Sequence, residues 1–538
     1  MNREKRKQSI LAGGLISTAG IFVSKLIGLL YMVPFTAIVG SENMIFYSLP
    51  LNVYTYILNV ATAGLPFAVA TMVARSVTFD DYKTSLLIKK LAHIVMFAFG
   101  VVSMLLLVLC SGLISSFQVA QEYADQLRNS YLILAAALIF VPMLSAGRGF
   151  YQGLKDMELN ALSQTLEQIV RVAFVLCAGA LCVYVFHQDQ IWAAYFGVMS
   201  TGIAAIAALL HLRFYDRKQM PRLRKLAKEQ ETKGNDDKQA LLKEMLWIAF
   251  PYLLMAALGY SDMIVNSLFL NQGLLAYGYS EAASSLISGA ITGQIQKLMS
   301  IPMVLAPGFS AAIVPYLTVN IAKKDWKQVR RNIDDCLGSV LYIGIPISFC
   351  LFAFATPIYY VMYGGGGMLP IYGDILRWYA LEAFLNTIGP IFNAFMMAGG
   401  LAKLNLRNLG IFALLKIILT YPMIMLFGYS GSVLSTVIAY AINILLDVYA
   451  FKKYFHFSFR YVNRRMILML ICTGALYAVS LVCPFIGLKG YDCGRFMALI
   501  QLGIAGLLSV GAYAALSCYF RLPQTIFHID FKKILKRG

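Results

Sequence analysis

Residues 146–172 read AGRGFYQGLKDMELNALSQTLEQIVRV, and this stretch joins two apolar segments through a polar turn. Its second half places Gln164, Glu167, Gln168 and Arg171 at positions i, i+3, i+4 and i+7, which puts the four side chains on one helix face. The helix continues as VAFVLCAGALCVYVF, which is apolar enough for hydrocarbon. Polar and charged groups are costly there, so this stripe is expected to face a polar interior or to pair within itself.

Two interpretations of the stripe remain open at the level of sequence. In the first, Glu167 and Arg171 form a local ion pair that holds helices together, since Glu four residues before Arg is the favourable order. In the second, the stripe, including Gln168, lines a polar cavity between helices.

The composition is that of an all-α polytopic membrane protein. The chain has 538 residues, of which 59% are hydrophobic and 13% charged, with a mean hydropathy of +0.70. A soluble protein carries about 25% charged residues. Segments of the ~20 apolar residues needed for a span recur along the chain. They predict about fourteen transmembrane helices, at 9–38, 47–74, 91–116, 130–147, 161–186, 191–213, 245–270, 285–318, 338–363, 375–400, 408–428, 431–451, 466–487 and 496–520.

The distribution of basic residues predicts the orientation. Most of the 45 Lys and Arg residues fall on alternate loops, which places both termini in the cytoplasm. The net charge of +19 is dispersed over these loops, so it indicates topology and attraction to anionic membrane lipids, with no nucleic-acid partner.

A weak internal repeat suggests two halves. Pro142 followed by MLSAG matches Pro390 followed by IFNAF, and both halves begin on the cytoplasmic side. Such a parallel repeat predicts two pseudo-symmetric lobes around a central cavity. The predicted divisions are an N-terminal lobe of helices 1–6 (1–213), a basic cytoplasmic linker (214–244), a C-terminal lobe of helices 7–12 (245–454), and helices 13–14 with a cytoplasmic tail (455–538).

Three lysines fall inside predicted spans. Lys25 and Lys297 lie too deep for their side chains to reach a headgroup, so they should meet either an anionic ligand in a cavity or a carboxylate. Lys416 is nearer the end of its span, where reaching the headgroup region is an alternative. The candidate carboxylates are Glu167 and Asp262, together with Glu382 and Asp447, which are expected near helix ends.

No motif for catalysis is found in the sequence. A phosphate-cradling P-loop, a metal-ligand cluster and a Ser-centred nucleophile elbow are all missing. We therefore expect no enzyme activity, no cofactor and no metal site, and a drive from an ion gradient, the membrane potential or substrate supply.

Three segments resemble a known transporter family. RGFYQGLKDMELNALSQTLEQIVRV, TGQIQKLMSIPMVLAPGFSAAIVP and STVIAYAINILLDVYAFKKY are similar to segments of the polysaccharide transporter family, within the multidrug/oligosaccharidyl-lipid/polysaccharide exporter superfamily. The similarity is to the branch that contains the stage V sporulation protein B and lipid II flippase proteins of Gram-positive bacteria. It implies two lobes around a cavity, alternating access and a polyprenyl-diphosphate-linked saccharide as substrate.

The resemblance also implies roles for individual residues. Ser24-Lys25 matches a Ser-Arg pair in the family's first helix, and Lys297 before Leu298-Met299 matches an arginine in its eighth. Other cavity arginines have no match, since Tyr31 and Tyr54 stand in their region. Lys25 and Lys297 are thus predicted to bind the diphosphate. The cytoplasmic half of the cavity would be lined by Lys416, Glu167, Gln168 and Arg171.

Two other functions are compatible with the sequence. An ion-coupled exporter of small drugs from the same superfamily would use a carboxylate, for which Asp262 is the candidate. A non-transporting membrane partner of a glycan synthase would bind the lipid-linked saccharide without moving it. In every case we expect a monomer, and glycan synthases are the protein partners to test.

Overall fold

The computed structural model describes residues 27–28, 30–154, 156–231, 234–303, 317–318, 320–321, 323–364, 366–455 and 459–527. Lys25, most of the predicted first helix and the end of the eighth lie outside these residues. The described chain is α-helical without strands, as the sequence predicts. It forms two compact units, Met1–Gly293 and Gln294–Gly538.

The helices of the first unit form a polytopic bundle. They are α1 (Met32–Val39), α2 (Met44–Thr62), α3 (Leu65–Thr78), α4 (Tyr82–Gln118), α5 (Gln121–Ala135), α6 (Ala137–Gly153), α7 (Met157–Ala180), α8 (Ile191–Glu229), α9 (Lys238–Gly259), α10 (Ser261–Tyr277) and α11 (Glu281–Gly289). A π-helical turn, Leu181–Val185, follows α7, and another, Ala290–Ile295, follows α11.

The second unit contains the remaining described helices. They are α12 (Gln296–Met303), α13 (Trp326–Ala353), α14 (Ala355–Tyr363), α15 (Leu369–Ala398), α16 (Ala402–Phe427), α17 (Tyr429–Phe455), α18 (Arg460–Val482), α19 (Arg495–Tyr519) and α20 (Leu522–Phe527).

The expected membrane architecture is confirmed. Within the described residues, 11 helices are long and apolar enough to cross a membrane, and each coincides with a predicted span. Of the other predicted spans, the first and eighth run through residues outside the described set. The tenth lies in α15, a 30-residue helix made more polar by Glu382, Asn386 and Asn393.

The boundary between the two units falls inside the predicted C-terminal lobe, because α9, α10 and α11 pack against α2, α3 and α4. Buried polar contacts join these helices: Gln118 Nε2 donates to the Ser267 carbonyl at 2.9 Å, and Asn271 Nδ2 donates to the Gln118 carbonyl at 2.8 Å. Such side-chain hydrogen bonds help to hold membrane helices together, because the hydrophobic effect does not drive helix association within lipid. The lobe boundaries drawn from the basic linker stay a prediction.

The hairpin of α6 and α7 positions the polar stripe. Asp156 caps α7 by accepting from the Leu159 amide at 3.2 Å. At Gly149, α6 passes so close to α3 that an added Cβ would lie 2.8 Å from the Pro66 carbonyl oxygen. Glycine at this position therefore allows α6, which carries Arg148, to pack closely against α3.

The polar connector after the sixth predicted span is partly helical, as expected. Helix α8 continues through it to Glu229, and α9 begins at Lys238. Between them, Gln230 Nε2 donates to Asp81 Oδ1 at 3.2 Å, and the Asn235 amide donates to Thr84 Oγ1 at 2.7 Å. The connector is therefore docked on the turn between α3 and α4.

From Trp326 onward, the amphipathic segment 321–336 is the first part of α13, which runs unbroken to Ala353. Its apolar side joins a core shared by α13, α15, α17 and α18, including Ile333, Phe395 and Met469. The polar residues of the segment thus extend a spanning helix, because nothing in the sequence breaks the helix before Pro346.

Candidate ligand-binding site

The stripe on α7 is organised around Glu167. Its side chain is almost buried, with 8% of the residue exposed, and Arg171 Nη2 donates to Glu167 Oε1 at 3.0 Å. The predicted Glu167–Arg171 pair is therefore confirmed. Gln168 lies on the same helix beside the start of the described chain, with its Oε1 3.7 Å from where a Cβ on Gly28 would be.

A second arginine shares the same carboxylate. Arg148 Nη2 donates to Glu167 Oε2 at 2.9 Å, while Arg148 Nε and Nη2 both reach Ser163 Oγ, at 3.1 and 2.9 Å. This role of Arg148 could not be read from spacing along a single helix. The hairpin places Arg148 and Ser163 at similar distances from the turn, and Glu167 lies one helical turn beyond Ser163.

Three buried tyrosines complete the group, which we call the arginine cluster: Arg148, Ser163, Glu167, Arg171, Tyr31, Tyr47 and Tyr54. Arg171 interacts electrostatically with all three tyrosines. The hydroxyls of Tyr31 and Tyr47 share a hydrogen bond of 2.6 Å. Each tyrosine is at most 5% exposed.

The arginine cluster has unused donors. Arg171 Nε and the Tyr54 hydroxyl are buried and have no hydrogen-bond partner among the described residues. Because two guanidinium groups face one carboxylate, the cluster carries a net positive charge. A partly buried, positive group with spare N–H and O–H donors is suited to bind an anion, since guanidinium recognises carboxylate and phosphate oxygens well.

The two predicted lysines of the second unit differ from each other. Lys297 is half-buried on α12, and within the described residues its ammonium makes no ion pair. Lys416 is fully buried near the middle of α16, and its Nζ donates to oxygens of α17. The alternative that Lys416 reaches the headgroup region is wrong, because its side chain is 0% exposed and its Nζ donates to oxygens of α17.

The other acidic candidates lie on three different helices. Asp262 lies in the first turn of α10, half-buried and near Tyr260. Glu382 and Asp447, expected near helix ends, are 3% and 0% exposed, because they lie within α15 and α17 on faces that pack against other helices. Among the described residues, no group of His, Cys, Asp and Glu could hold a metal ion.

The family whose description is "Polysaccharide biosynthesis protein" matches residues 10–320, more than half of the chain. This chain belongs to that family. A second family, MatE, matches residues 263–422. Together they place the chain in the polysaccharide transporter family of the multidrug/oligosaccharidyl-lipid/polysaccharide exporter superfamily, as the sequence motifs predict.

Two curated relatives match over nearly their whole length. The protein is 27% identical to lipid II flippase MurJ of Bacillus subtilis (strain 168) over 522 residues, which cover 95% of each chain. It is 24% identical to stage V sporulation protein B of the same organism over 528 residues, 96% of each chain.

Solved structures show the same fold. An inward-facing multidrug resistance MATE family transporter of the MOP superfamily matches with a TM-score of 0.65 at 14% identity, covering 82% of this chain and 98% of its own. Lipid II flippase MurJ in an inward closed conformation matches with a TM-score of 0.59 at 17% identity, covering 94% and 99%.

Proposed function

We propose that this family member is a flippase that carries a polyprenyl-diphosphate-linked saccharide, either lipid II or a polysaccharide repeat unit, across the plasma membrane by alternating access. It acts as a transporter, without catalysis or cofactor, with both termini in the cytoplasm. The substrate class is supported by the flippase name of the B. subtilis relative, which the chain matches end to end.

The observation that carries the proposal is the pair of unused donors in the arginine cluster. A diphosphate cannot cross hydrocarbon unless its charge is compensated, because isolated ions in a low-dielectric medium are strongly destabilised. Arg171 Nε and the Tyr54 hydroxyl offer charge and hydrogen bonds without first breaking any bond within the described residues. Arg148 and Glu167 hold the Arg171 side chain in place for this contact.

Lys25 and Lys297 are proposed as further ligands of the diphosphate. Lys297 supports this role because its ammonium lies at membrane depth without an ion pair among the described residues. Lysine is a compact charge without the fork of arginine, so it would bind a phosphate oxygen as a point charge. Gln168 is proposed to line the path beside Arg171. We assign Lys416 a different role below, since its donors are already in use.

A drug exporter coupled to ions is the second candidate. It is favoured by the match to MatE over residues 263–422 and by the half-buried Asp262 just before that segment. It predicts that Asp262→Asn abolishes export of small cations and that polyprenyl-linked precursors stay unaffected. A third possibility, a non-transporting partner of a glycan synthase, predicts binding of the precursor without transbilayer movement.

The test measures where the lipid-linked precursor lies. In cells depleted of this protein, precursor exposed on the outer face is quantified with an impermeant label or hydrolase. The cells are complemented with wild type, with Lys25→Ala/Lys297→Ala, with Arg171→Gln, or with Lys452→Ala as a control at an exposed position. Membrane levels of each variant are matched.

We expect depletion to trap precursor on the inner face, and wild type and Lys452→Ala to release it. The double lysine variant and Arg171→Gln should restore less than a tenth of the outer-face signal, because a charged hydrogen bond contributes about 1.5–3 kcal/mol. A precursor distribution that depletion leaves unchanged would contradict the flippase proposal. Full release by Arg171→Gln would contradict the site.

A further inference from the structure

Lys416 has an unusual set of partners. Its side chain is 0% exposed, and its Nζ donates to the Ser432 carbonyl at 3.2 Å, to Ser435 Oγ at 3.0 Å and to Thr436 Oγ1 at 2.6 Å. All three acceptors are neutral oxygens on α17. An ammonium has three N–H donors and no acceptor, and each of these three oxygens can accept from it.

The surrounding hydroxyls are oriented to accept from a charged amine. Thr436 Oγ1 and Ser435 Oγ each donate to the Ser432 carbonyl, at 3.0 and 2.8 Å. Thr420 Oγ1 donates to the Lys416 carbonyl at 2.6 Å and lies 3.2 Å from Ser435 Oγ. Because the hydroxyl hydrogens are directed at other oxygens, their lone pairs point to Nζ. A neutral amine, with two hydrogens and a lone pair, would fit this arrangement less well.

The ligand types also suit a monovalent metal ion. Backbone carbonyl and hydroxyl oxygens are the hard ligands with which proteins replace the hydration shell of an alkali cation. The ammonium of lysine is a compact point charge on a flexible stem. The Lys416 side chain therefore brings its own charge into a group of oxygens that would otherwise suit a bound cation.

Two acidic residues of α15 and α17 have hydrogen-bond partners of their own. Asp447 lies about 16 Å beyond Thr436 along α17, at a rise of 1.5 Å per residue. Its carboxylate accepts from Asn408 Nδ2 at 2.8 Å. On α15, Asp374 accepts from the Tyr429 hydroxyl at 2.7 Å. From α15, the Tyr379 hydroxyl lies 2.7 Å from the hydroxyl of Ser432, the residue whose carbonyl accepts from Lys416 Nζ.

We propose that Lys416 is a tethered monovalent cation. Its ammonium occupies an oxygen site between α16 and α17 that an alkali ion would otherwise fill, so this pair of helices is held together without an ion from solution. A gradient of Na⁺ or K⁺ therefore cannot act through ion binding at this position. The proposal is independent of the substrate, because it concerns the stability of two helices of the second unit.

The test measures the thermal unfolding midpoint of the purified full-length protein in nanodiscs. Wild type, Lys416→Ala, Lys416→Met and the exposed control Lys452→Ala are compared in NaCl, KCl, methylammonium chloride and N-methylglucamine chloride at equal ionic strength. Lys416→Ala leaves room for a cation among the oxygens, whereas Lys416→Met fills the same space with an apolar chain.

We expect the midpoints of wild type and Lys452→Ala to be the same in all four salts. Lys416→Ala should unfold at a lower temperature in N-methylglucamine, and saturating Na⁺, K⁺ or methylammonium should raise its midpoint by about 3 °C or more. Lys416→Met should unfold at a lower temperature than wild type in every salt.

The proposal is overturned if the midpoint of Lys416→Ala responds to these cations no more than that of Lys416→Met. It is equally overturned if Na⁺ or K⁺ raises the wild-type midpoint in a saturable way. Should Lys416→Ala not fold, the wild-type measurement alone decides: a midpoint independent of Na⁺ and K⁺ supports a resident cation, and a dependent one contradicts it.

Discussion

The arginine cluster of the first unit and Lys416 of the second are both cationic and at least partly buried, but their donors are used differently. In the arginine cluster, Arg171 Nε and the Tyr54 hydroxyl have no hydrogen-bond partner among the described residues. The Lys416 amine instead donates to three oxygens of α17. Burial of a charge therefore does not by itself indicate a binding site. What distinguishes a ligand site is donor capacity left over after the fold has been made.

The two groups also balance charge differently. Glu167 compensates Arg148 and Arg171 with a full negative charge, whereas the described partners of Lys416 are dipoles. An anion would therefore be expected to bind at the first group, where a donor is unused, rather than at the second, where the amine already donates to α17.

Removing the shared carboxylate should have the largest effect on stability. Glu167→Ala leaves two guanidinium groups facing each other without a counter-charge, and breaking a buried ion pair in this way costs about 3–5 kcal/mol. Thermal and denaturant unfolding of the purified protein would measure the loss. The control is Glu229→Ala, whose carboxylate is 60% exposed and 3.8 Å from Lys225 Nζ, where about 1 kcal/mol or less is expected. Similar losses for both variants would contradict the central position of Glu167.

Substitutions of the two arginines should affect stability and transport to different degrees. Arg148 makes three hydrogen bonds to Ser163 and Glu167, whereas Arg171 makes one to Glu167 and keeps an unused donor. We expect Arg148→Ala to lower the free energy of unfolding by about 2–3 kcal/mol, more than Arg171→Ala does. Arg171→Ala should instead cause the larger loss of precursor release in cells. A reversed order in either measurement would show that the roles are assigned the wrong way round.

A pair of tyrosines offers a finer comparison. Tyr54→Phe removes a hydroxyl without a partner, so stability should stay the same or rise by up to about 1 kcal/mol. Tyr131→Phe removes a hydroxyl that donates to Gln118 Oε1 at 2.6 Å, so it should lower stability by about 1 kcal/mol. Only Tyr54→Phe is expected to weaken substrate binding. Equal stability changes would mean that the Tyr54 hydroxyl has a partner after all.

The smallest effect is expected at Asp81, a partly exposed carboxylate outside the membrane spans. Burial alone would raise the pKa of Asp81. Hydrogen bonds from Thr84 and Gln230 have the larger combined effect and hold this pKa below its ordinary value. A lowered pKa stabilises the folded state at pH values above the ordinary pKa of about 4. This contribution is lost as the pH falls through the lower folded value.

Docking of the connector should therefore be independent of pH between 5 and 8, and loosen only below about pH 4. Asp81→Asn should loosen it at neutral pH, seen as faster hydrogen exchange of residues 230–237, while the exposed Asp80→Asn should not. Loosening of the wild type already near pH 6 would contradict this account.

The membrane architecture and the Glu167–Arg171 pair could be predicted because both depend on local sequence. Apolar length identifies spans, and a spacing of four residues brings two side chains together on one helix. Arg148 could not be predicted from spacing, since its contact with Glu167 depends on how α6 and α7 pack. Periodicity also does not show which helices pack together, and for this reason the burial of Lys416 against α17 could not be predicted.

The most direct measurement is the affinity of the purified full-length protein in nanodiscs for a polyprenyl diphosphate, compared with the uncharged polyprenol. Wild type, Arg171→Gln and, as a control at an exposed arginine, Arg128→Gln would be titrated. The account predicts that wild type and Arg128→Gln prefer the diphosphate, and that Arg171→Gln binds it at least about tenfold more weakly, a difference of about 1.4 kcal/mol. Equal affinity of wild type and Arg171→Gln for the diphosphate would contradict the claim that the unused donors of the arginine cluster form the anion site.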